Sequence, residues 1–142
     1  MAVDFETYCF VAAPLAKVWD ALTKPDQIEA YHPAGMFVRA LPGGGQELKR
    51  RDDGSTFIRE ALVSQEVGAR LELTFEPVWV EPPSTPSIVV FQLTAEDTAT
   101  KVHLTQTDCA SFGIGDNWDR FLSSMKSWLE TGKSLQAAPK AA

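Results

Sequence analysis

The sequence predicts an α+β domain in which an antiparallel sheet curls around one long C-terminal helix. Three observations carry that reading. Between Met36 and Thr107 apolar residues recur at every second position, in short runs broken by Gly, Pro and Asp-rich turns. The connections are short, so consecutive strands should pair as an antiparallel meander. Near the C-terminus the period lengthens, giving the one helical stripe broad enough to cover a sheet face.

Val3 to Val11 reads as the first strand. Val3, Phe5, Thr7, Cys9 and Val11 alternate there against Asp4, Glu6, Tyr8 and Phe10. Pro14 opens a helix, where its missing N–H costs nothing. Leu15, Val18, Trp19 and Leu22 form its apolar face; Lys17, Asp20 and Lys24 lie opposite. Pro25 stops this helix and starts a second short one, with Asp26 near the positive end of its dipole and Ile28 buried. Pro33 forces His32 out of helical geometry and closes the unit.

Six strands follow. Met36 to Leu41 is a strand, Pro42 to Gly45 a turn, and Gln46 to Arg51 the return strand. Asp52-Asp53-Gly54-Ser55 is a hairpin turn into Thr56 to Ser64. After a connection at Glu66 to Ala69, Arg70 to Glu76 places Leu71, Leu73 and Phe75 on one face. Pro77 to Pro86 holds four prolines and must be loop. Ile88 to Ala95 turns Val89, Phe91 and Leu93 to one side. Past a turn at Glu96 to Ala99, Lys101 to Thr107 points Val102 and Leu104 inward and His103 outward. The final helix has Asp116 as N-cap, Gly132 as C-cap, and a stripe of Trp118, Phe121, Leu122, Met125, Trp128 and Leu129. We expect one domain over residues 1–132 and a flexible tail over 133–142.

Composition narrows the function. The net charge is −6 and the pI about 4.8. A nucleic-acid binder needs a basic face, and an acidic chain is not drawn to anionic lipid, so neither partner is expected. No run approaches the roughly 18 apolar residues of a membrane span. The start, MAVDFETYCF, lacks a basic segment and does not read as a signal peptide, so we expect a cytoplasmic protein. Two cysteines, Cys9 and Cys109, are too few for a disulfide framework or a zinc site. Hydrolase, metalloprotease and phosphate-loop motifs are absent, and we expect no cofactor and no metal. Gly43-Gly44-Gly45 leads into a strand, which makes it a hairpin turn and not a phosphate cradle.

A few residues could carry chemistry. Tyr31 and His32 precede Pro33 and either look into a pocket or pack away from one. His32 is the better acid–base candidate of the two histidines. In Arg59-Glu60 the strand pleat turns one charge inward. Arg59 there would anchor an anion, whereas Glu60 would be a candidate base. Trp79, in the proline-rich loop, suits a lid or a dimer contact.

The pattern Ala13-Pro14, Val18-Trp19, Ala21-Leu22-Thr23 and Pro25 resembles one family closely. Pro42-Gly43-Gly44, Asp53-Gly54, Arg70-Leu71 and Leu104-Thr105-Gln106-Thr107 follow in the expected order. The chain is similar to single-domain proteins related to the activator of heat shock protein 90 ATPase, within the START-like (SRPBCC) superfamily. The resemblance spans about Val3 to Thr131. It implies a helix-grip fold: a seven-stranded antiparallel sheet around the C-terminal helix, two short helices after the first strand, and a cavity between helix and sheet. Cys9 and Cys109 would then lie near opposite ends of the pairing of first and last strands, on the order of 20 Å apart and outside disulfide reach. Two positions depart from the usual pattern. Tyr31-His32-Pro33 replaces a Trp-rich turn, and Thr105-Gln106-Thr107 replaces Thr-His-Ser.

On this resemblance the ligand-binding candidates are Tyr31, His32, Met36, Val38, Phe75, Phe112, Trp118 and Leu122. The expected partner is a small hydrophobic or aromatic molecule. A polyketide cyclase or hydrolase using the same cavity is the enzymatic alternative, with His32, Tyr31 or Glu60 as acid–base group. Stimulation of a chaperone ATPase is the third. Phe37 and Trp79 could contribute an apolar patch to a homodimer.

Overall fold

Proline spacing divides the N-terminal helical region. In the computed structural model, which describes residues 3–77, 87–107 and 115–136, Lys24 is extended at φ −97° and ψ 120° because Pro25 follows it. It ends α1 (Leu15–Thr23) and caps α2 (Pro25–Tyr31). His32, at ψ 126° before Pro33, ends α2 in the same way. These helices follow β1 (Val3–Val11) and precede β2 (Phe37–Ala40), β3 (Gly45–Lys49), β4 (Thr56–Glu66), β5 (Arg70–Pro77), β6 (Ser87–Glu96) and β7 (Ala99–Thr107). The long helix α3 (Gly115–Thr131) comes last.

The strands form one seven-stranded sheet in the order β1-β7-β6-β5-β4-β3-β2. Every neighbouring pair is antiparallel. This is the helix-grip arrangement. The hairpins run in chain order from β2 to β7, and β1 returns to pair with β7. Alternation decides the buried face: Leu71, Leu73 and Phe75 on β5, Val89, Phe91 and Leu93 on β6, and Val102 and Leu104 on β7. Helix α3 adds Trp118, Phe121, Leu122 and Met125 to the same core.

Backbone irregularities set where side chains point. The β3–β4 register passes from Leu48↔Ile58 to Lys49↔Thr56, leaving Phe57 as an extra residue. The β4–β5 register shifts likewise between Leu62 and Ser64. Gly45 opens β3 at φ +86°, and a Cβ there would lie 2.0 Å from the Glu60 carbonyl oxygen. No other residue fits that close approach of β3 to β4.

Polar ties fix α3 along β1. Thr7 Oγ1 donates to Asp119 Oδ1 at 3.0 Å, Lys126 Nζ to the Phe10 carbonyl at 2.6 Å, and the Ala12 N–H to Glu130 Oε2 at 2.7 Å. The described start of the C-terminal segment is anchored too. The Leu135 N–H donates to Ser124 Oγ at 2.9 Å, and Gln136 Nε2 donates to the carbonyls of Glu29 and His32 at 2.9 and 3.1 Å.

Cys9 lies opposite Val102 in the β1–β7 register, and burial pushes its thiol up to about 11. Cys109, Phe112, Trp79 and most of the Pro77 to Pro86 loop lie outside the described residues. No described helix is long and apolar enough to cross a membrane. Phe37 is not bare: the guanidiniums of Arg39 and Arg51 sit 5.0 and 4.6 Å from its ring centre. Among the described residues the exposed aromatics are Tyr8 and Phe10 on β1, in edge contact at 6.0 Å with Lys101 Nζ 4.9 Å from the Tyr8 ring. His103 does point outward, where Nε2 meets Glu6 Oε2 at 2.7 Å.

Candidate functional site

Packing along the inner face of the sheet is uneven. Around Val18, Tyr31, Leu104 and Met125 it is closed. Toward the first turns of α3 a pocket of about 400 Å³ opens between that helix, the turn after α2, and strands β3, β4 and β5. Among the described residues its apolar wall is Leu48, Phe57, Ile58, Phe75, Trp118 and Phe121, with Met36 and Pro33 on the turn side. Its polar lining is His32, Glu60, Asn117 and Arg120.

The bulge explains one wall. In a regular strand Phe57 and Ile58 would face opposite ways. The extra residue lets both line the pocket. Rings of the remaining wall pack directly on one another. Trp118 lies 5.6 Å from Phe75 and 5.4 Å from Phe121 between ring centres.

Glu60 is the unusual member. It is only 8% exposed, on β4 opposite Gln46 of β3. Gln46 Nε2 donates to Glu60 Oε1 at 2.8 Å. Desolvation by burial pushes the carboxyl up to about 7, and the Gln46 bond offsets part of that rise. Oε2 has no protein partner among the described residues. No described buried side-chain N or O lacks a partner, so Oε2 is not sealed in protein and opens onto the pocket. Arg59, its neighbour, faces outward to Glu47 at 3.4 Å.

His32 lines the turn side. The Ala34 N–H donates to its Nδ1 at 3.1 Å, which leaves the proton of the neutral ring on Nε2. Its ring packs edge-on against Phe121 at 5.7 Å. Burial pulls the imidazole down to about 4, so it is neutral at pH 7.

Trp118 is held by a directed polar chain. Its Nε1–H donates to Gln106 Oε1 at 2.6 Å. Gln106 Nε2 donates to Ser87 Oγ at 2.8 Å, and Ser87 Oγ donates to the Phe75 carbonyl at 3.3 Å. The indole that walls the pocket is therefore oriented from β7. The described residues contain no cluster of three or more His, Cys, Asp or Glu able to hold a metal ion.

A family model described as Activator of Hsp90 ATPase homolog 1-like protein matches residues 12–136. The chain belongs to that family. Solved structures agree with this fold. DynU16, described as a putative protein in the dynemicin biosynthetic locus, aligns with a TM-score of 0.74 at 21% identity. That alignment covers 94% of this chain but 49% of DynU16, so the chain spans about half of its length. The Aha1 dimer from Colwellia psychrerythraea aligns with a TM-score of 0.73 at 21% identity, over 94% of this chain and 100% of that one. ChR145 from Cytophaga hutchinsonii gives 0.72 at 23% identity, covering 93% and 98%. No curated protein matches the chain significantly.

Within this family fold, the ligand-binding candidates separate. His32, Met36, Phe75 and Trp118 stand together on the pocket wall. Tyr31, Val38 and Leu122 lie in the packed core instead. Tyr31 is fully buried, with its hydroxyl donating to the Ala21 carbonyl at 2.7 Å and its ring against Phe121 and Trp128. The last helical residue of α2 turns inward, and only the non-helical residue after it reaches the pocket. Phe57, Leu48 and Phe121 line the pocket without having been among the candidates, and of the Arg59-Glu60 pair it is Glu60, the candidate base, that the pleat turns inward. Parity with Ile58 was an available signal for Glu60. It was masked because apolar residues occupy both parities around it, at Phe57-Ile58 and Ala61-Leu62.

Proposed function

We propose that this protein binds a small apolar or aromatic molecule in the pocket between α3 and the sheet. The observation that carries the reading is the pocket's composition. About 400 Å³ is bounded mainly by Leu48, Phe57, Ile58, Phe75, Trp118 and Phe121, with few polar groups. That volume falls in the range of small-molecule sites, and such sites are lined in this way. The test is an NMR titration of labelled protein with lipids, flavonoids and aromatic polyketides. Joint shifts of the Trp118 indole and of amides from His32 to Met36 are expected. Shifts confined to the surface, or none, would overturn the reading.

One observation favours a second reading, an enzyme of cyclase or hydrolase type. Glu60 carries an oxygen open to the pocket, a hydrogen-bonded partner in Gln46 and a carboxyl near neutrality. Those are the requirements for a general acid or base near pH 7. Turnover of a bound ligand that is lost in Glu60→Gln while binding persists would establish it. A chaperone-directed role rests on the family's description, and stimulation of a cognate chaperone ATPase tests it. A homodimer is proposed from the Colwellia relative described as a dimer, and light scattering tests that. A cytoplasmic location is part of the same proposal.

A further inference from the structure

The pocket holds a carboxyl group whose second oxygen has no protein partner among the described residues. Resting on the ligand-binding reading above, we propose that the natural ligand carries a cationic nitrogen head on an apolar body, and that Glu60 receives the head. A buried carboxylate needs a counter-charge, and where the protein supplies none a ligand can. Gln46 occupies Oε1 as a neutral donor, which leaves Oε2 for an incoming N–H. The surrounding rings suit the same head. Phe75, Trp118 and Phe121 line the pocket, and a cation is attracted to aromatic faces; Phe57 on the same wall already holds the Arg50 guanidinium 4.7 Å from its ring centre. The chain's net charge of −6 favours approach of a cation over an anion.

The other titratable or charged groups near Glu60 do not replace that counter-charge. From α2 and its turn come Tyr31, whose hydroxyl is committed to Ala21, and His32, whose ring is neutral at pH 7. From β3 the inward residues are Gln46 and Leu48, and from β5 they are Leu73 and Phe75. Arg59 on β4 faces outward to Glu47. Arg120 on α3 lines the pocket but is an exposed residue. There it would accept an acidic or polar tail of the ligand and leave the deep carboxyl unpaired.

The experiment uses a matched pair of probes on the full chain. One is 2-naphthylmethylguanidinium, which stays charged at every pH used. The other is 2-naphthylmethylurea, which has the same shape, no charge and a carbonyl acceptor. Calorimetric titrations at pH 5.5, 7 and 8.5 compare them. At pH 8.5 the guanidinium should bind about tenfold or more tightly than the urea, the worth of a charge-assisted hydrogen bond. Its advantage should shrink as pH falls and Glu60 gains its proton. In Glu60→Gln the two probes should bind within about twofold of one another. Urea binding by that variant reports that the pocket is still formed, and Arg120→Gln should leave the guanidinium advantage in place.

Equal binding of the probes at pH 8.5 overturns the proposal but leaves the apolar pocket standing. Tighter binding of the urea overturns it in favour of a protonated Glu60 donating to a carbonyl. A guanidinium advantage that survives in Glu60→Gln also overturns it, assigning the gain to the acidic surface. Failure of both probes to bind overturns this proposal and the ligand-binding reading together.

Discussion

Gln106 and Glu60 both place a polar side chain on the apolar inner face of the sheet, and they are treated oppositely. Gln106 is fully enclosed, receives the Trp118 N–H and donates to Ser87, which passes a bond on to Phe75. Glu60 has one oxygen held by Gln46 and the other open to the pocket. A satisfied buried network fixes a conformation. A half-satisfied one keeps a free valence for something else. The first belongs to the scaffold, and the second has the form of a recognition group.

The strongest way to break the contrast is at Gln106. Gln106→Ala should strand the Trp118 N–H inside the core and leave a void beside it. We expect a loss of about 3–4 kcal/mol in urea unfolding, from an orphaned donor plus a cavity. The pocket should lose its shape in the same variant, read as a shifted Trp118 indole resonance. A loss below about 1 kcal/mol would mean the chain of bonds contributes little.

Glu60 should behave in the opposite sense. Its carboxyl rises from an ordinary 4.5 to about 7 on folding, so the folded protein holds the proton more tightly than the unfolded chain. Stability from this group is fully present below pH 4.5 and is lost as pH rises through about 7. Glu60→Gln should therefore match wild type near pH 4.5 and exceed it at pH 8 by about 2–3 kcal/mol. Unfolding midpoints across pH measure this. A variant less stable than wild type at pH 8 would show that the ionised carboxyl is welcome where it sits.

His32 has the reverse linkage. Its imidazole falls from 6.5 toward 4 on folding, so its contribution is present above pH 6.5 and is lost as pH falls through about 4. The residue keeps part of its surface accessible, so the effect is smaller than that whole shift implies. His32→Asn should flatten the acid limb of the stability curve by about 1–2 kcal/mol. Between pH 4.5 and 6.5 the slopes of Glu60 and His32 oppose each other. The wild-type curve should therefore look flatter there than either single variant's.

The fold was readable because its signals are local and periodic. Pro14, Pro25 and Pro33 set the helix limits, and Leu71-Leu73-Phe75 and Val89-Phe91-Leu93 set the strand faces. The pocket was only half readable, because its lining depends on where regular structure breaks. Phe57 enters by a bulge, and the adjacent apolar pair Phe57-Ile58 does not say by itself which of the two the pairing skips. Tyr31 was misplaced for a related reason. As the last residue of α2 it follows the inward stripe of Ile28, whereas His32 beyond the helix end is free to turn toward the pocket. Gln106 could have been found by parity with Leu104, two residues earlier on β7.

The smallest effect sharpens the comparison most cheaply. Arg59 is one residue from Glu60, yet the pleat sends it to solvent, where it meets Glu47 at 3.4 Å with half its side chain exposed. An exposed ion pair contributes little, because water screens it and ordering two long side chains costs entropy. Arg59→Ala should change stability by less than about 0.5 kcal/mol and leave its pH profile unchanged. A double-mutant cycle with Glu47→Ala measures the pair alone. Adjacent charges would then differ severalfold in energetic consequence for one reason, the side of the sheet they occupy. A coupling above about 1 kcal/mol would instead place Arg59 in the same electrostatic unit as the pocket. The clean separation between outer surface and inner recognition group would then have to be given up.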